Sequence, residues 1–154
     1  MAKEIERKFL LSDKSILETS TDRNQIIQGY LSSNPDSTVR IRIIDRRAFL
    51  TVKSRNVGAM RNEWEYEIPV EDAESMIEAC GIDGLISKTR HRIGRWEIDE
   101  FHGRLEGLVV AEIELESETE VVDIPPFIGR EVTDDKRYYN SALATASPED
   151  VPMQ

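Results

Sequence analysis

Polar and apolar residues alternate along most of this chain, and the dominant period is two. The first such run is Glu4-Ile5-Glu6-Arg7-Lys8-Phe9-Leu10. A second covers residues 26–31 and meets a turn at Asn34-Pro35-Asp36. A third, Thr38-Val39-Arg40-Ile41-Arg42-Ile43, turns at Asp45-Arg46-Arg47 into Ala48-Phe49-Leu50-Thr51-Val52-Lys53. Residues 61–68 form a fifth run, closed by Pro69, and 86–93, 96–101 and 108–116 supply three more. Alternation sends successive side chains to opposite faces, so each run reads as a strand with one apolar face. Residues 71–81 break the pattern. Glu71 and Asp72 suit a first helical turn, Ala73, Met76, Ile77 and Cys80 share one face, and Gly81 supplies a stop. That predicts a helix with Cys80 on its buried stripe. After Pro125-Pro126 come residues 131–139, a short helix-like stretch at 140–146, and a tail, 147–154, that reads as frayed. The sum is an α+β, mainly β domain over residues 1–146: an antiparallel sheet, closed or strongly curled, with a few peripheral helices.

The polar faces are charged, and the sign is sorted by strand. Glu4, Glu6 and Lys8 share one face, as do Arg40 with Arg42, and Thr51 with Lys53. Arg61, Glu63 and Glu65 share another. Lys88, Arg90 and Arg92 form a basic row; Glu97 with Asp99, and Glu112, Glu114 with Glu116, form acidic ones. Like charges on neighbouring same-face positions repel, so such rows cost stability unless something neutralises them. A multivalent cation would satisfy the acidic rows and a polyanion the basic ones. The opposite faces carry Ile5, Val39, Ile41, Ile43, Leu50, Val52, Trp64, Tyr66, Ile68, Trp96, Ile98, Ile113 and Leu115, which need cover. In a barrel they would face outward, against helices or a second subunit, and leave the charges to line the lumen.

Composition narrows the chemistry. The chain has 154 residues, enough for one real core, and 30 acids against 20 bases give a net charge of −10. That excess argues against an open nucleic-acid or membrane-surface patch, both of which need a positive field. The single cysteine allows no internal disulfide and suits a reducing compartment. The start of the chain has no apolar leader core, and no run is long enough to span a membrane, so a cytoplasmic protein is expected. With only His91 and His102 as imidazoles, any metal would be held by oxygen. Both histidines read as surface or packing residues, and Arg46-Arg47 as a solvated turn. Trp64, Trp96 and Tyr66 oppose the charged parity, whereas Tyr30 shares parity with Gln28 and can face the lumen. Gly58 marks a loop without a glycine-rich phosphate cradle around it.

These motifs, in this order, resemble the CYTH superfamily, also called triphosphate tunnel metalloenzymes. Its members include class IV adenylate cyclases and thiamine, inorganic and fungal RNA triphosphatases. The resemblance starts at Glu4-Ile5-Glu6-Arg7-Lys8 and runs through 39–42, 50–53, 61–68, 88–90, 96–99 and 111–115 to Val132–Asn140. It implies an eight-stranded antiparallel closed β-barrel, a tunnel with charge inside. By similarity, Glu4, Glu6, Glu112 and Glu114 would hold Mg²⁺ or Mn²⁺. Lys8, Arg40, Arg42, Lys53, Lys88 and Arg90, with Arg61 and Lys136, would bind triphosphate oxygens. Glu63, Glu65, Glu97 and Asp99 would orient water or help place a second cation. The implied reaction is hydrolysis of inorganic triphosphate by metal-activated water at the terminal phosphorus. Short loops and no extra domain leave little surface for adenine or thiamine. Cyclisation of ATP, thiamine triphosphate hydrolysis and non-catalytic polyphosphate or nucleotide binding are the alternatives. The outward apolar faces allow a homodimer.

Overall fold

The computed structural model describes residues 2–82 and 84–154. Nine antiparallel strands carry the fold: β1 (Ala2–Leu11), β2 (Asp22–Ser32), β3 (Ser37–Ile44), β4 (Arg47–Ser54), β5 (Met60–Ile68), β6 (Ile86–Ile93), β7 (Trp96–Phe101), β8 (Val109–Glu114) and β9 (Ile128–Glu131). Helix α1 (Val70–Ala79) follows β5, and the short α2 (Asn140–Leu143) lies near the C-terminus. The ring runs β5-β4-β3-β2-β6-β7-β8-β1, and β1 pairs with β5 to close eight strands into a barrel. The ninth strand, β9, lies outside the ring against β1.

The closing seam is short. β1 meets β5 only through Ala2 to Ile5, and farther along it pairs Phe9 with Glu131 and Leu11 with Ile128 of β9. β1–β5 pairing therefore closes the barrel wall toward one end, and the other end is filled by the C-terminal segment. Register explains the filling. Lys8 faces Glu112 across β1–β8, but the next inward pair is Leu10 with Val110. Leu10, Val110, Ile86 and Phe101 pack with Leu105, Leu108, Val132, Tyr138, Leu143 and Val151 into one apolar cluster. The lumen is charged at one end and apolar at the other.

The outward apolar rows are covered locally. A 3-10 turn at Lys14–Thr19 sends Leu17 onto the Phe9, Trp96, Ile98 and Ile113 surface, where Phe9 and Trp96 meet edge to face at 5.5 Å. Ala73, Met76 and Ile77 of α1 cover Ile41 and Ala48 of β3 and β4. Cover is incomplete: Tyr66 is 64% exposed and Trp64 half-buried. Two expectations need correction, and two elements carry no signal in the sequence. α1 stops at Ala79, so Cys80 caps the helix and is exposed rather than on the buried stripe. β9 and the 3-10 turn carry no alternation long enough to mark them. The tail is not frayed: Val151 is 2% exposed inside the end cluster, and Tyr138 Oη donates to the Pro152 carbonyl. Val151→Ala should therefore cost about 2 kcal/mol and lower Tm by about 6 °C. A thermal melt that shows no change would return the tail to solvent.

Candidate active site

A cavity of about 210 Å³ opens at the charged end of the barrel. Its wall carries Glu4, Glu6 and Lys8 from β1, Arg40 and Arg42 from β3, Lys53 from β4, and Arg61, Glu63 and Glu65 from β5. Arg90, Glu97, Glu112 and Glu114 complete the charge from β6, β7 and β8. Six bases and seven acids thus meet in one cavity. Tyr30, Thr38, Tyr139, Asn140 and Ser141 fill the gaps between them. Strand parity identifies nearly all the charged members. Tyr139, Asn140 and Ser141 come from the C-terminal segment, where no periodicity marks them.

Two sequence candidates lie just behind the wall, and one lies elsewhere. Lys88 and Asp99 are 0% and 2% exposed, with Nζ 2.7 Å from Oδ2. Arg90 grips the same carboxylate with a fork of 2.8 and 2.9 Å. Asp99 is thus a counter-ion beneath the cavity, with no free face toward a water in it. Lys136 is exposed and off the wall, because its 3-10 turn drives Tyr138 inward and its neighbours outward. Arg92 also misses the cavity and pairs near the rim with Glu97 at 3.6 Å.

Partners are shared unequally inside the cavity. Lys53 Nζ lies 3.0 Å from Glu4, and Lys8 Nζ sits between Glu6 at 3.9 Å and Glu112 at 3.7 Å. Arg40 reaches Glu65 at 3.6 Å, and Thr51 Oγ1 donates to the same carboxylate at 2.8 Å. Arg42, 7% exposed, has no acid partner among the described residues; its Nε donates to Gln28 at 2.8 Å. The acids toward the mouth show the opposite shortage. Glu6 opposes Glu114 across β1–β8, and Glu97 opposes Glu112 across β7–β8.

Proton affinities record this frustration. Burial, then the charge of Glu112, holds the Glu6 carboxyl well above the ordinary range. Burial and a hydrogen bond to Glu4 push Glu63 up to about 7. Glu114 is raised by burial and by Glu4 and Glu97. Burial opposes ionisation of Glu4 too, but the Glu63 hydrogen bond and Lys53 win and hold it low. At the deep end, burial presses Lys88 down to about 7 and Arg42 down to about 9, Arg42 further burdened by Arg40 and Arg90. Lys88 and Arg90 share one carboxylate, Asp99, and Arg42 has none among the described residues, while several acids nearer the mouth lack a cation.

The donors suit a hard cation: among the described residues the wall carries seven carboxylates, no thiolate and no imidazole. Among the described residues, however, no three acidic, histidine or cysteine groups already converge as ligands. Lys8 and Lys53 occupy the acids instead.

A family model for the CYTH domain matches residues 2–144. The chain is 44% identical over 150 residues to an inorganic triphosphatase of Acetivibrio thermocellus, covering 93% of this chain and 94% of that one. It is 37% identical over 155 residues to an inorganic triphosphatase of Nitrosomonas europaea, covering 94% and 99%. A solved inorganic triphosphatase superposes with a TM-score of 0.64 at 34% identity, covering 94% of this chain and 99% of its own.

The raised Glu63 carboxyl gives a signed test. From pH 4.5 to about 7 the folded state holds this proton more tightly than the unfolded state, so stability falls as pH rises through that window. Above it the whole cost is present. After allowance for partial solvent screening, Glu63→Gln should stabilise the metal-free protein at pH 8 by about 1 kcal/mol, or about 3 °C in Tm. The gain should vanish at pH 5. An equal loss of Tm at both pH values would contradict the reading.

Proposed function

The chain belongs to the CYTH domain family, and on that premise we propose that it hydrolyses inorganic triphosphate to pyrophosphate and phosphate with a divalent cation, Mg²⁺ or Mn²⁺. One observation carries the choice of substrate: among the described residues the cavity wall is charged or polar throughout, with Tyr30 and Tyr139 its only aromatic rings. The Tyr139 ring already lies 5.5 Å from Lys8 Nζ. No apolar shelf is left for adenine or thiazolium. A triphosphate carries about four negative charges near neutrality, and the deep bases match it. The names of the relatives, inorganic triphosphatases, agree with this reading.

Glu4, Glu6, Glu112 and Glu114 would hold the cation. Once bound, it supplies charge neutralisation on the phosphate oxygens and polarises the anhydride. The remaining work belongs to the chain. Arg40, Arg42, Arg61 and Arg90 bind non-bridging oxygens and fix the anion in line for attack. Lys8 and Lys53 exchange carboxylate partners for phosphate oxygens as the anion enters, which frees the acids they occupied. The carboxylates so freed would be open to the cation. Glu63, Glu65 and Glu97, on the outer wall, orient water and accept its proton as the new oxygen–phosphorus bond forms and pyrophosphate leaves. Asp99 acts through Arg90 and Lys88, holding both bases in place.

A substrate panel tests the proposal directly. Phosphate release from triphosphate, with Mg²⁺ or Mn²⁺, should exceed release from pyrophosphate, ATP or thiamine triphosphate at least about ten-fold. Cyclic AMP formed from ATP, without phosphate release from triphosphate, would replace hydrolysis with cyclisation. Arg40→Ala should lower kcat/KM for triphosphate about 10- to 100-fold, the worth of one charge-assisted hydrogen bond. Unchanged kcat/KM would remove Arg40 from the site.

A further inference from the structure

Lys88 presents a difficulty that the barrel alone does not solve. Its ammonium is fully buried, and the cavity wall does not include it. Between it and the cavity stands Asn140, at the start of α2. Lys88 Nζ donates to Asn140 Oδ1 at 3.1 Å.

That one bond fixes the direction of the amide. An ammonium has only donors, so it accepts nothing from an amide NH₂ and can face only the oxygen. With Oδ1 turned to Lys88, the other end of the planar amide, Nδ2, points away from it. Among the described residues Nδ2 has no protein acceptor, although Asn140 lines the cavity. Two N–H donors are thereby offered to the lumen, polarised by the cation behind them.

The backbone that carries Asn140 is pinned from outside the site. Arg104, in the connection between β7 and β8, donates from Nη2 to the carbonyls of Leu143 at 3.0 Å and Ala144 at 2.9 Å, and from Nη1 to that of Ala146. These carbonyls lie at and just beyond the C-terminal end of the four-residue helix. Leu143, Ala144 and Val151 anchor the same segment in the apolar end of the barrel.

We infer that Asn140 is a substrate-binding residue, its Nδ2 donating to a phosphate oxygen while Oδ1 is held by Lys88, so that the buried lysine reaches the anion through the amide. The inference rests on the triphosphate reading of the cavity. It separates from a merely structural role, in which Asn140 does nothing but hold Lys88.

Titration calorimetry of triphosphate into the chelator-treated protein at pH 6, where Lys88 is an ammonium, distinguishes the two, with a melting curve for each variant. Asn140→Ala should bind about ten-fold more weakly than the parent. Asn140→Asp should melt at or above the alanine variant, because a carboxylate still satisfies Lys88. It should nevertheless bind more weakly still, because it offers acceptors where the anion needs donors. Asn140→Asp that binds as well as or better than Asn140→Ala would overturn the inference, as would Asn140→Ala with unchanged affinity. A parent protein that binds triphosphate yet releases no phosphate with Mg²⁺ or Mn²⁺ would refute the hydrolase reading and leave the role of Asn140 standing. A parent that binds no triphosphate refutes both.

Discussion

Like charges enclosed in a closed barrel are the constraint on which the rest depends. Arg40, Arg42, Lys88 and Arg90 crowd the deep part of the lumen, and Glu4, Glu6, Glu112 and Glu114 gather on neighbouring strands. Burial strengthens repulsion within each set and withholds the water that would relieve it. Interleaved pairs such as Lys53–Glu4 and Arg90–Asp99 make the empty barrel tolerable. They do not reach every group. Arg42 has only an amide, and Glu6 faces Glu114. The surplus is what an anion and a cation can use, since binding relieves a cost that folding has already incurred.

Every other feature serves that enclosure. The outward apolar faces need cover, and α1, the 3-10 turn and β9 provide it. The lumen must end somewhere, and the switch from Lys8 to Leu10 along one face of β1 is where it does. The C-terminal segment plugs the apolar end and returns Tyr139, Asn140 and Ser141 to the charged one. The net charge of −10 does not contradict an anion site, because it averages over the whole surface. Glu71, Asp72 and Glu74 lie exposed on α1, well outside the lumen.

Face was legible in the sequence, and depth was not. A period of two is a local property, so all eight ring strands and the side of Arg40, Glu63 or Glu112 follow from spacing alone. How far each side chain lies along the axis depends on register with strands distant in sequence. Arg90 and Asp99 face each other across β6–β7, and Lys88 faces Phe101 one step deeper, which takes Lys88 and Asp99 off the wall. Strand spacing carries no trace of that. Cys80 misled for a related reason: its position fits the helical stripe, but the chain leaves the helix one residue earlier. Lys136 and Asn140 lie in short segments whose placement comes from Tyr138, Leu143 and Val151 packing into the barrel end, contacts with no local signature. The CYTH resemblance covered part of this gap by carrying order and spacing together, yet it placed Lys136 among the phosphate ligands and assigned Asn140 no role.

The central claim is that anion and cation relieve two halves of one electrostatic cost. Melting temperature measured with a non-hydrolysable imido analogue of triphosphate alone, with Mn²⁺ alone, and with both tests it most directly. The account predicts that the joint rise exceeds the sum of the separate rises, because each ligand frees partners for the other. Additive shifts, or a full shift from either ligand alone, would contradict it.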